Sequence, residues 1–234
     1  MPDRAPIVMT LIAAPTPTLR SPRTPLMKWW GWIVLSGLLI GSAMAADDPV
    51  ARWLSLRGHP QWYLFARRIS LIGEWWILAM AGGLYGAFCF FRRQPERMRA
   101  VLLVTLTGLS TGLCATMLRF LFGRTRPIAN VPQGFYGIWH NSHWIIGQYK
   151  FSSFPSGHAA TVVGFAAALW QLDRRAGVLA ALFAALVAWS RIVLGRHHFS
   201  DIVAGALLGM GGARLAMARL GTLVDWAAGR LRKP

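Results

Sequence analysis

Apolar residues gather in six runs, about Trp29–Ala46, Ile69–Phe91, Ala100–Phe122, Pro155–Leu172, Ala176–Leu194 and Phe199–Leu220, and charged residues collect between them. A helix that crosses a bilayer needs roughly 20 mostly apolar residues, so each run predicts one span. The fourth run is short and polar at its start. Its first turn is therefore expected near the membrane surface or in a recess. No period of about 20 to 50 residues repeats, which argues against a solenoid. The expected fold class is all-α: a polytopic integral membrane protein with six transmembrane helices. Residues 27–222 form the membrane domain, residues 1–26 a loose tail rich in Pro, Thr and Arg, and residues 223–234 a basic cytoplasmic tail.

Composition narrows the class. Hydrophobic residues make up 55% of the 234 and charged residues 14%, at a mean hydropathy of +0.42. Soluble domains carry about a quarter charged residues, so neither a cytosolic nor a disordered chain fits. Cys89 and Cys114 lie inside apolar runs and read as small packing residues, not as a disulfide scaffold. The net charge is +17, and only Lys28, Lys150 and Lys233 among the 25 basic residues are not Arg. The planar fork of Arg matches phosphate oxygens. Because the basic residues are divided among connections on both faces, nucleic-acid binding is not expected.

Charge also orients the chain. Arg20, Arg23 and Lys28 precede the first run, Arg92, Arg93, Arg97 and Arg99 follow the second, and Arg174 and Arg175 follow the fourth. Arg214, Arg219, Arg230, Arg232 and Lys233 end the chain. Six spans put all of these on one side, which the positive-inside rule makes cytoplasmic, with both termini there. The expected location is a bacterial-type inner membrane. Arg52, Arg57, Arg67, Arg68, Arg119, Arg124, Arg126, Lys150, Arg191 and Arg196 fall on the opposite side and need another explanation. Ala43-Met44-Ala45 before Ala46-Asp47 resembles a signal-peptide cleavage site. An uncleaved first span in the same orientation is favoured. Most of the 12 Trp sit near span ends or in outer loops, as an interfacial belt does.

Three polar clusters fall on the outer side: Arg119-Phe-Leu-Phe-Gly-Arg124-Thr-Arg126-Pro127, Phe154-Pro155-Ser156-Gly157-His158, and Ser190-Arg191-x5-His197-x3-Asp201. One Arg at a membrane edge snorkels to headgroups. Three within eight residues, ended by a Pro, point to an anion. Pro155–His158 reads as a turn feeding a helix N-terminus, whose free N–H groups and dipole cradle phosphate; Ser156 also reads as a plain N-cap. His197 and Asp201 are spaced i, i+4 and share a helix face. A carboxylate there fixes the imidazole tautomer and frees the other nitrogen as nucleophile or base. The residues alone do not decide between His197 and His158 as nucleophile. The constellation suits phosphoryl transfer by positioning and electrostatics, and no residue spacing fits a metal or cofactor.

These clusters resemble the signature of the type 2 phosphatidic acid phosphatase family, which includes lipid phosphate phosphatases and shares its site with vanadium haloperoxidases. The family pattern is Lys-x6-Arg-Pro, Pro-Ser-Gly-His and Ser-Arg-x5-His-x3-Asp. Here the second and third match at every fixed position, and Arg119 replaces the usual Lys of the first. The resemblance covers roughly residues 50–220. It implies a helical bundle in which His197 attacks phosphorus and forms a phosphohistidine. Asp201 would orient His197, and His158 would protonate the leaving oxygen and then activate water. Arg119, Arg126, Arg191, Ser156 and the Gly157 N–H would hold the phosphate, without a metal. Arg124 and Arg196 read as accessory cations that widen the positive field or touch a headgroup, and His198 as an interfacial neighbour. The loop from Ile128 to Ser153, with Tyr136, Trp139, His140, His143, Trp144 and Lys150, is expected to pack at the membrane surface and to cap the site. Glu74 is expected to pair with an Arg such as Arg67 or Arg68. The implied partners are membrane lipids and a lipid phosphate or pyrophosphate substrate; undecaprenyl pyrophosphate is favoured over phosphatidic acid, phosphatidylglycerol phosphate and lipid A. A lipid phosphotransferase on the same site and a non-catalytic lipid-binding or transport protein are the alternatives.

Overall fold

A computed structural model describes residues 27–54 and 60–231, with side chains over 30–54 and 60–221. The expected tail 1–26, Arg57 and residues 232–234 lie outside the described residues. Eight helices account for most of the described chain: α1 Met27–Ala45, α2 Asp47–Trp53, α3 Pro60–Ile72, α4 Trp75–Phe91, α5 Pro95–Phe122, α6 Gly157–Leu172, α7 Arg174–Val193 and α8 Phe199–Leu231. The protein is mostly helical and built for a membrane. Helices α5, α7 and α8 are each long and apolar enough to cross one, and two bent pairs, α1–α2 at 55° and α3–α4 at 52°, raise the number to as many as five. Helix α6 has 16 residues. At 1.5 Å per residue it rises about 24 Å, short of a hydrocarbon core of about 30 Å. On length alone, the fourth expected span is thus the one that falls short.

Two helices were not legible as apolar runs. Helix α3 carries Arg67 and Arg68, so only its last turn, Ile69–Ile72, merges with the second run. Helix α2 opens with Asp47 and Asp48 and ends near Arg52. Helix α8 passes its expected end at Leu220 and continues to Leu231, so the stretch from 223 is helical that far.

Helix α6 sits among α5, α7 and α8. Lipid chains are as apolar as Leu, so helices in a membrane associate by close packing of small residues. Gly108 and Gly112 on α5, and Gly205 and Gly209 on α8, provide that approach. A Cβ at Gly209 would stand 2.8 Å from the Ala160 carbonyl, and one at Gly108 would stand 3.1 Å from that of Thr161. Thr111 Oγ1 donates across the α5–α6 seam to the Ala160 carbonyl at 2.9 Å. Cys89 is packed inside, as expected, but Cys114 faces outward. Leu38, Leu84, Leu113 and Leu182 are more than half exposed, the arrangement of a lipid-facing surface.

The loop between α5 and α6 crosses one end of the bundle. Helix α5 stops at Gly123, whose φ is +56°. Any side chain there would run into the Gly137 backbone. A two-strand hairpin, β1 Trp139–His140 with β2 His143–Trp144, turns through Asn141 and Ser142, both at positive φ, the conformation that matches strand twist. Backbone bonds from Thr125 to Gly134, Arg126 to Lys150 and Ser153 to Arg124 fold the loop back on the end of α5. A cavity of about 380 Å³ opens in it, lined by Tyr136, His140, His143, Lys150 and Phe151.

Candidate active site

The site forms where the end of α5, the start of α6, the end of α7 and the start of α8 meet under this loop. Ser156 caps α6. Its Oγ accepts from the Ala159 N–H at 3.3 Å, and its own N–H donates to the Asp201 carbonyl at 3.0 Å. Both the bland reading and the convergence hold: the hydroxyl is a cap, and α6 is tied to α8. Gly157 follows as the first helical residue. A Cβ on it would overlap Arg119 Nη2, so the glycine lets the guanidinium lie against the helix start.

The arginines divide into two kinds. Arg191 is buried and Arg119 partly so, and among the described residues neither buried Nε atom has a hydrogen-bond partner. Arg191 uses Nη1 to donate to Ser70 Oγ on α3. A buried donor left without a partner is costly. Arg126 and Arg124 are instead engaged by the protein. Arg126 Nε, Nη1 and Nη2 donate to the carbonyls of Tyr149, Arg196 and Ser152 at 2.9, 3.0 and 2.9 Å, and its guanidinium lies 4.1 Å from the Tyr149 ring centroid. This expected phosphate ligand thus staples the loop with most of its five donors. Arg196 donates to the Tyr149 hydroxyl. Arg124 is not a headgroup contact. It is buried between Asp47 at 2.8 Å and Asp201 at 2.6 Å, donates to Ser200 Oγ and stacks on Phe135.

His197 lies two residues before α8, not on the helix as its spacing implied. Its N–H bonds back to the Arg191 carbonyl. Its Nδ1 donates to the Ser153 carbonyl at 2.9 Å, while Asp201 Oδ2 is 3.6 Å away. The backbone of Ser153 thus fixes the tautomer, and Asp201 contributes its charge from slightly farther off. Nε2 is left free. Complete burial, aided by the Arg126 and Arg191 cations and opposed by Asp201, holds the His197 pKa well below the ordinary imidazole range. That environment favours the neutral ring. Asp201 closes a cap on α8 by accepting from the His198 N–H at 2.7 Å, and it also accepts from Ser153 Oγ. His198 faces Thr125 and Gln133 in the loop at 3.2 and 3.1 Å, not the interface.

One expected pairing goes elsewhere, and two residues that sequence did not assign to the site, Asp47 and Ser153, complete the arrangement. Glu74 reaches His158, with Oε1 3.1 Å from Nε2, and does not pair with Arg67 or Arg68. Asp47, seen before only beside the cleavage-like Ala-x-Ala, binds Arg124 and also accepts from the Ser200 N–H and Oγ at 2.8 and 2.7 Å. Ser153 supplies the carbonyl to His197. Charge patterning hinted at Asp47, since few acids face so many arginines; Ser153 left no signal.

The family model of the PAP2 superfamily matches residues 99–224, a segment that holds all three clusters, and the chain belongs to that superfamily. Among curated proteins it is similar to the lipid A 1-phosphatases of Rhizobium etli and Rhizobium johnstonii. Each is 35% identical over 103 residues, 44% of this chain. The match spans only 43% and 41% of the length of those relatives. Among solved structures it resembles the first transmembrane PAP2 type phosphatidylglycerolphosphate phosphatase from Bacillus subtilis, with a TM-score of 0.59 and 21% identity over 83% of this chain and 94% of that one. It also resembles Aquifex aeolicus LpxE, with a TM-score of 0.52 and 20% identity over 74% and 94%. At those identities the likeness concerns the fold.

Proposed function

We infer that the chain is a membrane phosphatase that removes a phosphate from a lipid without a metal, through a phosphohistidine. The carrying observation is the pair of cations, Arg191 buried and Arg119 partly so, whose Nε donors have no partner among the described residues, near a buried His197 whose Nδ1 is held by the Ser153 carbonyl. His197 Nε2 would attack phosphorus, with Asp201 stabilising the imidazolium that develops. His158 would give a proton to the leaving oxygen and then take one from the attacking water. Arg119, Arg191, the remaining donors of Arg126 and the Gly157 N–H would hold the phosphate oxygens, with Ser156 fixing the helix start.

Six spans in the membrane, with α6 as the short fourth, suit this reading, since a short helix recesses the site to headgroup depth. Arg92, Arg93, Arg97, Arg174 and Arg175 lie at the opposite end of α5, α6 and α7 from the site. The positive-inside rule then places the site on the outer face of an inner membrane. The relatives' activity favours the 1-phosphate of lipid A over undecaprenyl pyrophosphate. The test is phosphate release by detergent-purified protein with EDTA present, on lipid A, undecaprenyl pyrophosphate, phosphatidylglycerol phosphate and phosphatidic acid, against His197→Ala. Release that survives EDTA and disappears in the variant is expected, fastest on lipid A. Release from none of the four would overturn the reading, and phosphate passed to an added alcohol would convert it to a phosphotransferase.

A further inference from the structure

The joint between α3 and α4 touches two of the site's residues, and the family signature includes none of it. Ser70, on the last turn of α3, accepts from Arg191. Glu74, one turn on and just before α4, stands 3.1 Å from His158 Nε2. Gly73 permits both contacts. A Cβ there would lie 2.6 Å from Val187 Cγ1, so only glycine lets the joint press against α7 at the depth of the site. The Glu74 side chain is about 29% exposed and that of His158 about 15%, so the pair borders the opening of the site. His158 Nε2 makes no well-aligned hydrogen bond among the described residues, and its contact with Glu74 is an ion-pair approach. Catalytic hydrogen bonds are often misaligned before substrate binds.

The charged groups facing His158 are Glu74 from the joint, Arg191 from α7 and Arg119 from α5. Glu74 is the carboxylate that stands against its ring, with Oε1 3.1 Å from Nε2.

We propose that Glu74 is a positioning residue that turns His158 into the proton donor of the reaction. The inference rests on the phosphatase reading above. The carboxylate holds Nε2–H and leaves Nδ1 to the substrate. As His197 Nε2 forms the N–P bond and the P–O bond to the leaving group breaks, the Nδ1 proton passes to the leaving oxygen. Neutral His158 then takes a proton from water, the water oxygen bonds to phosphorus, and the N–P bond breaks to release phosphate. Glu74 keeps the proton available for the first half and balances the charge when it returns in the second.

The test compares the full-length protein with Glu74→Gln and Glu74→Asp on two substrates, dodecyl phosphate and 4-nitrophenyl phosphate, across pH. The alkyl leaving group needs a proton and the aryl one does not. With Glu74→Gln the ratio of alkyl to aryl turnover is expected to fall about tenfold. The alkaline limb of the alkyl profile is expected to move to lower pH by about one unit, and Glu74→Asp to recover part of both. A ratio taken on one preparation is independent of how much of it is folded. An unchanged ratio with an unmoved limb, or an equal loss on both substrates, would overturn the proposal while leaving the phosphatase reading intact. Absence of phosphate release by the unaltered protein from these two substrates and from the four lipids above would overturn that reading and this one with it.

Discussion

Arg124→Ala tests whether this arginine is structural or a ligand for phosphate. Arg124 bridges Asp47 and Asp201 at 2.8 and 2.6 Å, with about 9% of its side chain exposed. Removing it leaves two buried carboxylates facing each other with no cation. Breaking a buried pair by deleting one partner costs about 3–5 kcal/mol. For a chain of this size each kcal/mol moves the unfolding midpoint by roughly 2–4 °C, so a drop on the order of 6–20 °C is expected. Asp47→Ala should cost less, because Arg124 keeps Asp201 and Ser200. The Asp47→Ala, Arg124→Ala double variant should lose less than the sum, with a coupling of about 1 kcal/mol or more. The assay is thermal unfolding in detergent followed by tryptophan fluorescence, with vanadate binding measured on the folded fraction. A midpoint within about 2 °C of the unaltered protein, combined with lost vanadate binding, would refute the structural role and restore the anion-binding one.

Other outcomes follow from the same geometry. Gly157→Ala pushes its Cβ into the flexible end of Arg119, so kcat/KM should fall on the order of 10- to 100-fold with little change in midpoint, as steady-state kinetics beside a melting curve would show. Arg119→Lys restores the point charge usual in the family and should keep most turnover, while Arg191→Ala also abandons Ser70 and should lose it; phosphate release on lipid A separates them. His197 is buried neutral, with its pKa held down by burial. The unfolded chain therefore binds a proton that the folded one refuses, and stability should fall as pH drops below about 6.5. Midpoints measured against pH should show a shallower acid decline in His197→Gln.

The helices of the bundle were legible because a bilayer demands long apolar runs and the runs at 100–122, 176–194 and 199–220 meet that demand. Helices α2 and α3 were not, because each mixes charge with apolar residues and is recognised by what it packs on. The three clusters were legible because the end of α5, the cap of α6 and the α7–α8 turn each keep their chemistry within a few consecutive residues. What sequence hides is pairing across elements. Glu74 meets His158 84 positions later, and Asp47 meets Arg124 77 positions later, so neither spacing nor periodicity connects them. The same limit explains Arg126, whose position in Arg-x-Arg-Pro suggests an anion while its donors go largely to loop carbonyls that only the folded loop delivers.

The most direct test of His197 as nucleophile is a rapid acid-free quench of the His158→Ala variant after mixing with ³²P-labelled 4-nitrophenyl phosphate, whose leaving group needs no proton, followed by peptide mapping. That variant slows water activation and should let the intermediate accumulate. An acid-labile, base-stable label on the peptide containing His197, absent from the His197→Ala, His158→Ala double variant, is the expected result. Phosphate released in full with no protein label at any time, or a label carried by another residue, would contradict the attack by His197 on which the proposed chemistry depends.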